Sequence, residues 1–251
     1  MTWIFLWDAS PSKIFIGGTQ ASKVFVWDTQ VRPTWWQPWA NTKVYYKIND
    51  NDTNTTIYDL TTNHYDQTWS WTPWYATDAT YGRVANFNSN NYTLAGSIVD
   101  FWQEVTFITL IKPTSSAKAV VLQCATSSAW PLWMWLDSWK FIMSTISFWA
   151  INFESTSWII TSNQRTMLAA TVSISNWTVK LYKNWILDKT YTGQTGTIDY
   201  DTEWSNLGIW YWRSWDGSRL SWNFKLFIWE NRVWTDWEIA GLAREYGFNP
   251  S

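Results

Sequence analysis

Two short runs of alternating residues near the C-terminus place the strongest constraint on the fold. TVKLY (178–182) and ILDKTY (186–191) are separated only by Lys183, Asn184 and Trp185. Alternation with a period of two is typical of a half-buried strand, and so short a connection predicts an antiparallel β-hairpin. Two-residue hairpin loops need positive φ at their central positions, which favours Asn-Gly and penalises a bulky residue. The tryptophan therefore stands where the backbone favours glycine.

A repeat near the N-terminus places tryptophan and glycine at one equivalent position. Three copies of a ten-residue unit, IFLWDASPSK, IFIGGTQASK and VFVWDTQVRP, have Trp7, Gly17 and Trp27 as their fourth residues. The chain contains 26 Trp but only 10 Gly, although glycine averages about 7% of residues in proteins. Some bacterial lineages and their phages read the UGA codon as glycine. We hypothesise that many of these Trp letters stand for glycine; the alternative is a Trp-rich protein with exposed aromatic platforms.

From about residue 49 onward, short strand patterns recur with turn signals between them. They are RVANF, YTLAG, EVTFITLIKP, AVVLQCAT, KFIMSTI, MLAATVSIS, TVKLY, ILDKTY, NLGIWYW and NFKLFIW. Many short strands of this kind predict an all-β fold, a two-sheet antiparallel jelly-roll sandwich.

One helix is expected near the C-terminus. Thr235 and Glu238 have the spacing of a capping box, in which each residue's side chain bonds to the other's backbone N–H. The residues expected on its apolar face are Ile239, Leu242, Ala243 and Tyr246. Gly247 is the expected residue just after the helix end.

Charge and residue counts exclude several functional classes. The formal net charge is −2 and no Lys/Arg stripe is present, which argues against a nucleic-acid partner. Cys124 is the only cysteine, so no disulfide forms within the chain. His64 is the only histidine, and its polar setting TTNHYDQT predicts a solvated loop rather than a catalytic triad or a zinc site.

No segment has the pattern of a membrane helix or a secretory signal. The longest apolar stretch, PLWMWLDSWKFIM, is interrupted by Asp137 and Lys140, well short of the roughly 20 residues needed to span a bilayer. The opening MTWIFLWDASPSK has no basic region. No membrane insertion is therefore expected.

The chain is expected to have two parts. Residues 1–48 hold the strand repeats, a linker RPTWWQPWANT and one further strand, VYYKI. Short repeated hairpins bury little apolar area alone, which suggests an attachment segment that docks onto a partner. Residues 49–251 form the jelly-roll domain.

Five stretches, in order, resemble the laminin-G-like, concanavalin A-like jelly-roll domains. They are IYDLTTNHYDQTW (57–69), RVANFNSNNYTLAG (83–96), EVTFITLIKPTSS (104–116), TVKLYKNWILDKTY (178–191) and FKLFIWENRVWTDWEIAGLAREYG (224–247). Leu110 stands where the family often has Trp, and the hairpin matches when Trp185 is read as Gly. The resemblance implies a carbohydrate-binding or lectin-like module, and such domains often bind calcium at the sandwich edge. No cofactor is certain, and the calcium ligands are not assigned.

The N-terminal units are similar to short segments of phage tail-associated proteins. That resemblance implies a virion location without a signal sequence, and residues 1–48 would then hold the domain on the particle. The expected partner is a glycan or other surface receptor. The alternative to a phage-tail protein is a cell-surface adhesin-like protein with the same binding module.

Catalysis has one candidate motif. Asp199, Asp201 and Glu203 alternate in TIDYDTEW, so on a strand their carboxylates would share a face. The motif is similar to that of jelly-roll glycanases, which need two carboxyl groups about 5 Å apart for retaining hydrolysis. The first position is Asp where that family has Glu, and the setting reads as a loop. A non-enzymatic role is therefore expected, with a glycoside hydrolase as the alternative.

Aromatic side chains provide the candidate ligand contacts. The stretch WSWTPWY (69–75) could be a sugar-stacking platform, because apolar sugar faces pack well on aromatic rings. With glycine in place of tryptophan it becomes a plain loop. Tyr75, Tyr81 and Tyr92 are aromatic under either reading and are the candidate binding residues.

Overall fold

The chain divides into two units, Met1–Gln37 and Pro38–Ser251. The structure is a computed structural model. It describes residues 15–16, 19–20, 41–48, 56–69, 75–87, 93–97, 104–113, 119–125, 132–137, 139–146, 150–156, 160–193, 206–209 and 222–248. In the first unit, β1 (Phe15–Ile16) pairs antiparallel with β2 (Thr19–Gln20).

The second unit consists mainly of strands. They are β3 (Thr42–Lys47), β4 (Thr56–Ile57), β5 (Gln67–Trp69), β6 (Tyr75–Asp78), β7 (Gly82–Phe87), β8 (Thr93–Ser97), β9 (Glu104–Pro113), β10 (Ala119–Ala125), β11 (Leu132–Asp137), β12 (Lys140–Ile146), β13 (Ala150–Glu154), β14 (Thr166–Ser173), β15 (Thr178–Lys183), β16 (Ile186–Tyr191), β17 (Asn206–Ile209) and β18 (Trp222–Glu230). The helix α1 (Asp236–Glu245) follows β18.

The strands form two antiparallel sheets, which confirms the predicted all-β jelly-roll sandwich. One sheet has the order β13-β12-β11-β10-β17-β8-β5-β4, and the other has the order β16-β15-β14-β9-β18-β7-β6. The long strand β18 pairs with β9 along one side. Along its other side it pairs first with β7 and then with β3.

The main core lies between the two sheets. Phe107 and Phe227 from one sheet and Met134 and Phe141 from the other belong to one buried cluster. The residues that alternate with Phe107 along β9, such as Ile108, are also fully buried. Since neighbouring residues of a strand point to opposite faces, the sheet that contains β9 is covered on both faces.

The helix begins and ends as its sequence predicts. The hydroxyl of Thr235 accepts the backbone N–H of Glu238, and the Glu238 carboxylate accepts the backbone N–H of Thr235 at 2.8 Å. Ile239, Leu242 and Ala243 are buried, and Gly247 has φ +81°. Glycine adopts this left-handed conformation without strain, which ends the helix.

The start of the helix is tied to the neighbouring sheet. Asp236 accepts hydrogen bonds from the Tyr182 hydroxyl at 2.7 Å and from Lys180 Nζ at 3.0 Å. These two contacts outweigh burial and lower the pKa of the Asp236 carboxyl. Just before the helix, the backbone N–H of Trp234 donates to Thr106 Oγ1 on β9 at 2.8 Å. The first residue of the helix is therefore tied to β15, and the segment just before the helix is tied to β9.

The tryptophans of the described residues include two contrasting groups. Trp139, Trp177 and Trp185 have φ of 67°, 48° and 81°, and each lies in the connection between two paired strands. Trp229 and Trp234 are instead buried. The first group occupies backbone positions that favour glycine, and the second fills core space.

Candidate functional site

Two of the three predicted tyrosines lie at the two ends of one edge strand. Tyr75 is the first residue of β6, and Tyr81 lies in the turn that connects β6 to β7. Each lines a different cleft, named here the Tyr75 cleft and the Tyr81 cleft. The third tyrosine and the three acidic candidates, Tyr92, Asp199, Asp201 and Glu203, lie outside the described residues.

The Tyr75 cleft is mostly apolar and has a volume of about 210 Å³. Its lining residues are Lys47, Ile48, Thr56, Ile57, Tyr58, Leu60 and Tyr75. The guanidinium carbon of Arg83 lies 4.0 Å from the centre of the Tyr75 ring. Tyr58 and Leu60 remain 46% and 43% exposed, so this cleft offers a partner aromatic and aliphatic surface.

A buried carboxylate fixes the loop that supplies two walls of the Tyr75 cleft. Asp59 is only 4% exposed. Its Oδ1 accepts the backbone N–H of Tyr45, and its Oδ2 accepts that of Tyr65 at 3.0 Å and the hydroxyl of Thr61 at 2.8 Å. Charge-assisted bonds of this kind are stronger than neutral ones. The aspartate of the opening polar segment is therefore a structural residue that holds Tyr58 and Leu60 in place.

The turn that carries Tyr81 is held by another carboxylate. Asp78 Oδ1 accepts the backbone N–H groups of Thr80 at 2.9 Å and Tyr81 at 3.1 Å. Its Oδ2 lies 3.0 Å from Lys112 Nζ on β9. Burial alone would raise the pKa of Asp78, but these amides and Lys112 outweigh it and lower the pKa. The backbone position of Tyr81 is therefore fixed by an ionised carboxylate.

The Tyr81 cleft brings together three segments that are distant in the sequence. Its volume is about 320 Å³, and its lining residues are Tyr81, Asn163, Gln164, Arg165, Tyr246, Gly247 and Phe248. The guanidinium carbon of Arg165 lies 4.9 Å from the centre of the Tyr81 ring. The Tyr246 ring meets the Tyr81 ring edge-on, with 6.3 Å between centres. One wall of the cleft is therefore an aromatic pair beside a guanidinium.

The tyrosines of this region remain protonated at physiological pH. Burial is the largest cause that raises the pKa of Tyr81, above the opposing effect of Arg165. Burial also raises the pKa of Tyr246. Beside it, Tyr45 has its pKa raised to about 12, first by burial and then by the charge of Glu245. These hydroxyl groups therefore stay neutral and do not act as bases, and the Tyr81 hydroxyl is buried without a hydrogen-bond partner among the described residues.

The cationic group of the Tyr81 cleft has unused hydrogen-bonding capacity. Among the described residues, Arg165 has no carboxylate within 4 Å and donates no hydrogen bond. Guanidinium groups carry five N–H donors in a planar arrangement. Asn163 and Gln164, beside it, are exposed and add side-chain amides. The cleft therefore combines a stacking ring with several free donors and acceptors.

The structure adds site residues that the sequence analysis did not name. Arg165 precedes β14 and carries no motif, and Gln164 lies in the same loop. Tyr246 was predicted only as part of the apolar face of the helix, yet it lines the Tyr81 cleft. No local pattern indicates this grouping, because more than 60 residues separate each of these segments from the next.

The described lining of the Tyr81 cleft offers no pair of acids for hydrolysis. Among the residues that the structure describes, no Asp or Glu lines this cleft, whereas glycoside hydrolysis needs two carboxyl groups. Within the described part of the chain, no group of three His, Cys, Asp or Glu is placed to hold a metal ion. His64 lies exposed at a turn with φ 54°. No helix of the described ranges is long and apolar enough to cross a membrane.

The fold is similar to that of binding domains from botulinum neurotoxins and from Paraclostridial Mosquitocidal Protein 1. The binding domain of Paraclostridial Mosquitocidal Protein 1 matches with a TM-score of 0.63 and 11% identity, over 82% of this chain and 52% of that chain. The binding domain of botulinum neurotoxin DC, in complex with rat synaptotagmin II, matches with a TM-score of 0.62 and 8% identity, over 82% and 52%.

A third solved structure comes from botulinum neurotoxin type C, whose cell entry depends on interaction with two ganglioside molecules. It matches with a TM-score of 0.61 and 8% identity, over 82% of this chain and 51% of that chain. The chain thus spans about half the length of these domains, and the likeness establishes the β-sandwich fold alone. No protein-family model matches the chain, and no curated protein matches it in sequence.

Proposed function

We propose that the protein is a non-catalytic module that binds a glycan or a glycan-bearing surface receptor through the Tyr81 cleft. The observation that carries this proposal is the wall formed by Tyr81, Tyr246 and Arg165. Apolar sugar faces stack on aromatic rings, while sugar hydroxyl groups need nearby amides and charged donors. The loop that contains Asn163 and Gln164 supplies those groups.

The nature of the similar structures supports binding as the function. Each is a binding domain or a toxin whose entry into cells depends on a surface molecule. A protein that acts in this way meets its ligand outside the cell. The fold also accommodates the laminin-G-like, concanavalin A-like assignment suggested by the five ordered stretches, which remains part of this proposal.

A matched pair of tyrosine variants tests the site. Tyr81→Ala removes the stacking ring from the Tyr81 cleft, whereas Tyr58→Ala removes an exposed ring from the Tyr75 cleft. A screen of the parent protein against an array of immobilised glycans identifies the ligand, and titration calorimetry then compares the two variants. Binding lost in Tyr81→Ala and kept in Tyr58→Ala supports the proposal, provided that both unfold at temperatures close to the parent. The reverse result places the ligand in the Tyr75 cleft.

Where the protein acts depends on the role of residues 1–48. We propose that this segment attaches the domain to a larger particle, such as a phage tail, through the part that precedes β3, because β3 itself pairs with β18 in the sandwich. The alternative is a cell-surface adhesin. Mass spectrometry of purified particles and of washed cell envelopes distinguishes the two locations.

The glycanase alternative is tested by incubating the parent with the glycans that it binds. Hydrolysis that disappears in Glu203→Gln would support it, and intact glycans would remove it.

The recoding of tryptophan belongs to the same proposal. Positive φ at Trp139, Trp177 and Trp185 supports glycine at these positions in the natural protein. Trypsin cleaves after Lys183 and Lys189, so protein from the natural source yields the peptide NWILDK or its glycine form. The mass of that peptide decides between the two, and the glycine form would also supply the Asn-Gly turn of the laminin-G resemblance.

Display of weak sites in several copies on a particle would raise the overall affinity of the protein for a glycan-bearing surface.

A further inference from the structure

The Tyr81 cleft carries a positive charge that no acid among its described lining residues neutralises. Arg165 is the cationic residue of that described lining, which includes no Asp or Glu. The charge of Asp78 acts on Tyr81, but this carboxylate is occupied by Lys112 and two backbone amides. The charge of Glu245 acts on Tyr45 and Tyr246, and Glu245 does not line the cleft. Among the described lining residues, Arg165 therefore carries the only formal charge that a ligand would meet.

The Arg165 side chain is also held in position. It is half-buried and lies over the Tyr81 ring at 4.9 Å, and the carboxylate of Asp78 fixes the backbone beneath that ring. A guanidinium that is restrained by stacking loses less entropy when it binds, and its planar donors match the two oxygens of a carboxylate. A neutral hydroxyl would leave most of these donors unused.

The other lining residues of the cleft suit a sugar that bears the carboxylate. Its volume of about 320 Å³ lies at the small end of ligand pockets, which span about 300–1,000 Å³. The rings of Tyr81 and Tyr246 provide an apolar lining beside Arg165, and Asn163 and Gln164 provide amides for hydroxyl groups. This combination accommodates one terminal sugar unit and not a folded protein segment.

We infer that the Tyr81 cleft binds the carboxylate of an acidic sugar, with Arg165 as the residue that determines this specificity. The inference rests on the proposed glycan-binding function and deepens it. Sialic acids and uronic acids both carry the required group on a sugar ring, and the experiment separates them as sources.

Titration calorimetry of the full chain tests the inference with paired ligands. The probes are two trisaccharides, one ending in sialic acid and one in glucuronic acid, each compared with its carboxyl methyl ester. The parent should bind at least one acid form about tenfold or more tighter than its ester, because hydrogen bonds to a charged group are the stronger ones. Arg165→Gln should abolish this preference and leave weak binding of the ester.

The matched control is Arg83→Gln, which removes an arginine stacked on the tyrosine of the other cleft. It should keep the preference of the parent, and Arg165→Lys should keep part of it. Equal binding of acid and ester by the parent overturns the inference but leaves the proposed function in place. Binding of neither form, together with no glycan found on the array, removes both. A preference that survives Arg165→Gln and disappears in Arg83→Gln overturns the assignment to this cleft.

Discussion

The carboxylate of Asp78 lies 3.0 Å from Nζ of Lys112, and the pair joins two strands that are not neighbours in the sheet. Asp78 ends the edge strand β6, while Lys112 lies on the central strand β9. The same carboxylate accepts the backbone N–H of Tyr81. The position of the proposed ligand platform therefore depends on this ion pair.

We expect Asp78→Ala to lower the free energy of unfolding by about 1–3 kcal/mol, since two amides and a cation lose their acceptor. Asp78 is 5% exposed and Lys112 is 29% exposed, so solvent replaces the lost contacts poorly. Glu154→Ala is the control, because its pair with Lys140 has the same 3.0 Å separation but is 42% and 34% exposed. Exposed pairs contribute under about 1 kcal/mol. Urea denaturation of both variants measures the difference, and equal losses would contradict the structural role of Asp78.

The free energy of unfolding should decrease in acid because a small group of carboxylates becomes protonated. The folded protein lowers the pKa values of Asp78, Asp236 and Glu238. Between the lowered values and the ordinary values of about 4, the unfolded chain binds more protons than the folded one. Their stabilisation is therefore complete above the ordinary pKa values and is lost as pH falls through the folded values.

Urea midpoints measured from pH 7 to pH 2 check this expectation. The decline should be shallower in Asp78→Asn, which cannot titrate at that position but keeps a carbonyl acceptor for the turn. An unchanged decline would show that Asp78 does not take part.

Alkaline conditions should destabilise the fold through Tyr45. Burial raises its pKa to about 12, whereas tyrosine in an unfolded chain has a pKa of about 10. Between these values the folded protein binds more protons, so stability is complete below about pH 10 and is lost as pH rises through about 12. Tyr45→Phe should reduce the loss. The ultraviolet absorbance of tyrosinate, followed with the unfolding midpoint, tests the link between ionisation and stability.

Local patterns in the sequence predicted local structure well. The hairpin formed by β15 and β16 follows from two alternating runs and a short connection, and both its strands are found. The capping box of Thr235 and Glu238 is also present. Each feature depends on residues within about ten positions of one another, so the pattern contains the needed information.

The candidate site could not be predicted in the same way. Tyr81, Arg165 and Tyr246 meet only because the turn after β6, the loop before β14 and the end of α1 converge. That convergence depends on pairings such as β18 with β9, whose residues are more than 100 positions apart. Tyr81 was predicted for its aromatic ring alone, and Arg165 belongs to no motif. Strand alternation shows which face a residue occupies but not which distant loop it meets.

The backbone angles of the tryptophans separate two kinds of position, and substitution by glycine should have opposite effects on them. A non-glycine residue pays roughly 1–2 kcal/mol in the left-handed region. Trp177, with φ 48°, lies in the turn between β14 and β15, and Trp185, with φ 81°, lies in the next turn. We expect Trp177→Gly to raise the free energy of unfolding by about 1 kcal/mol. Trp185→Gly should gain less, because the Trp185 ring packs 6.5 Å from that of Phe248.

Trp229→Gly and Trp234→Gly are the matched controls within the same chain. Both residues are buried, and Trp234 Nε1 donates to the fully buried carboxylate of Glu230 at 2.8 Å. Emptying a core position of this size costs about 3–5 kcal/mol, so these variants should be strongly destabilised. Asn184 holds its turn against Met167 through its backbone N–H and its side-chain oxygen, so the hairpin survives the change at Trp185. Destabilisation at all four positions would mean that the side chains of Trp177 and Trp185 stabilise the fold. The interpretation that these tryptophans stand for glycine would then lose its physical basis.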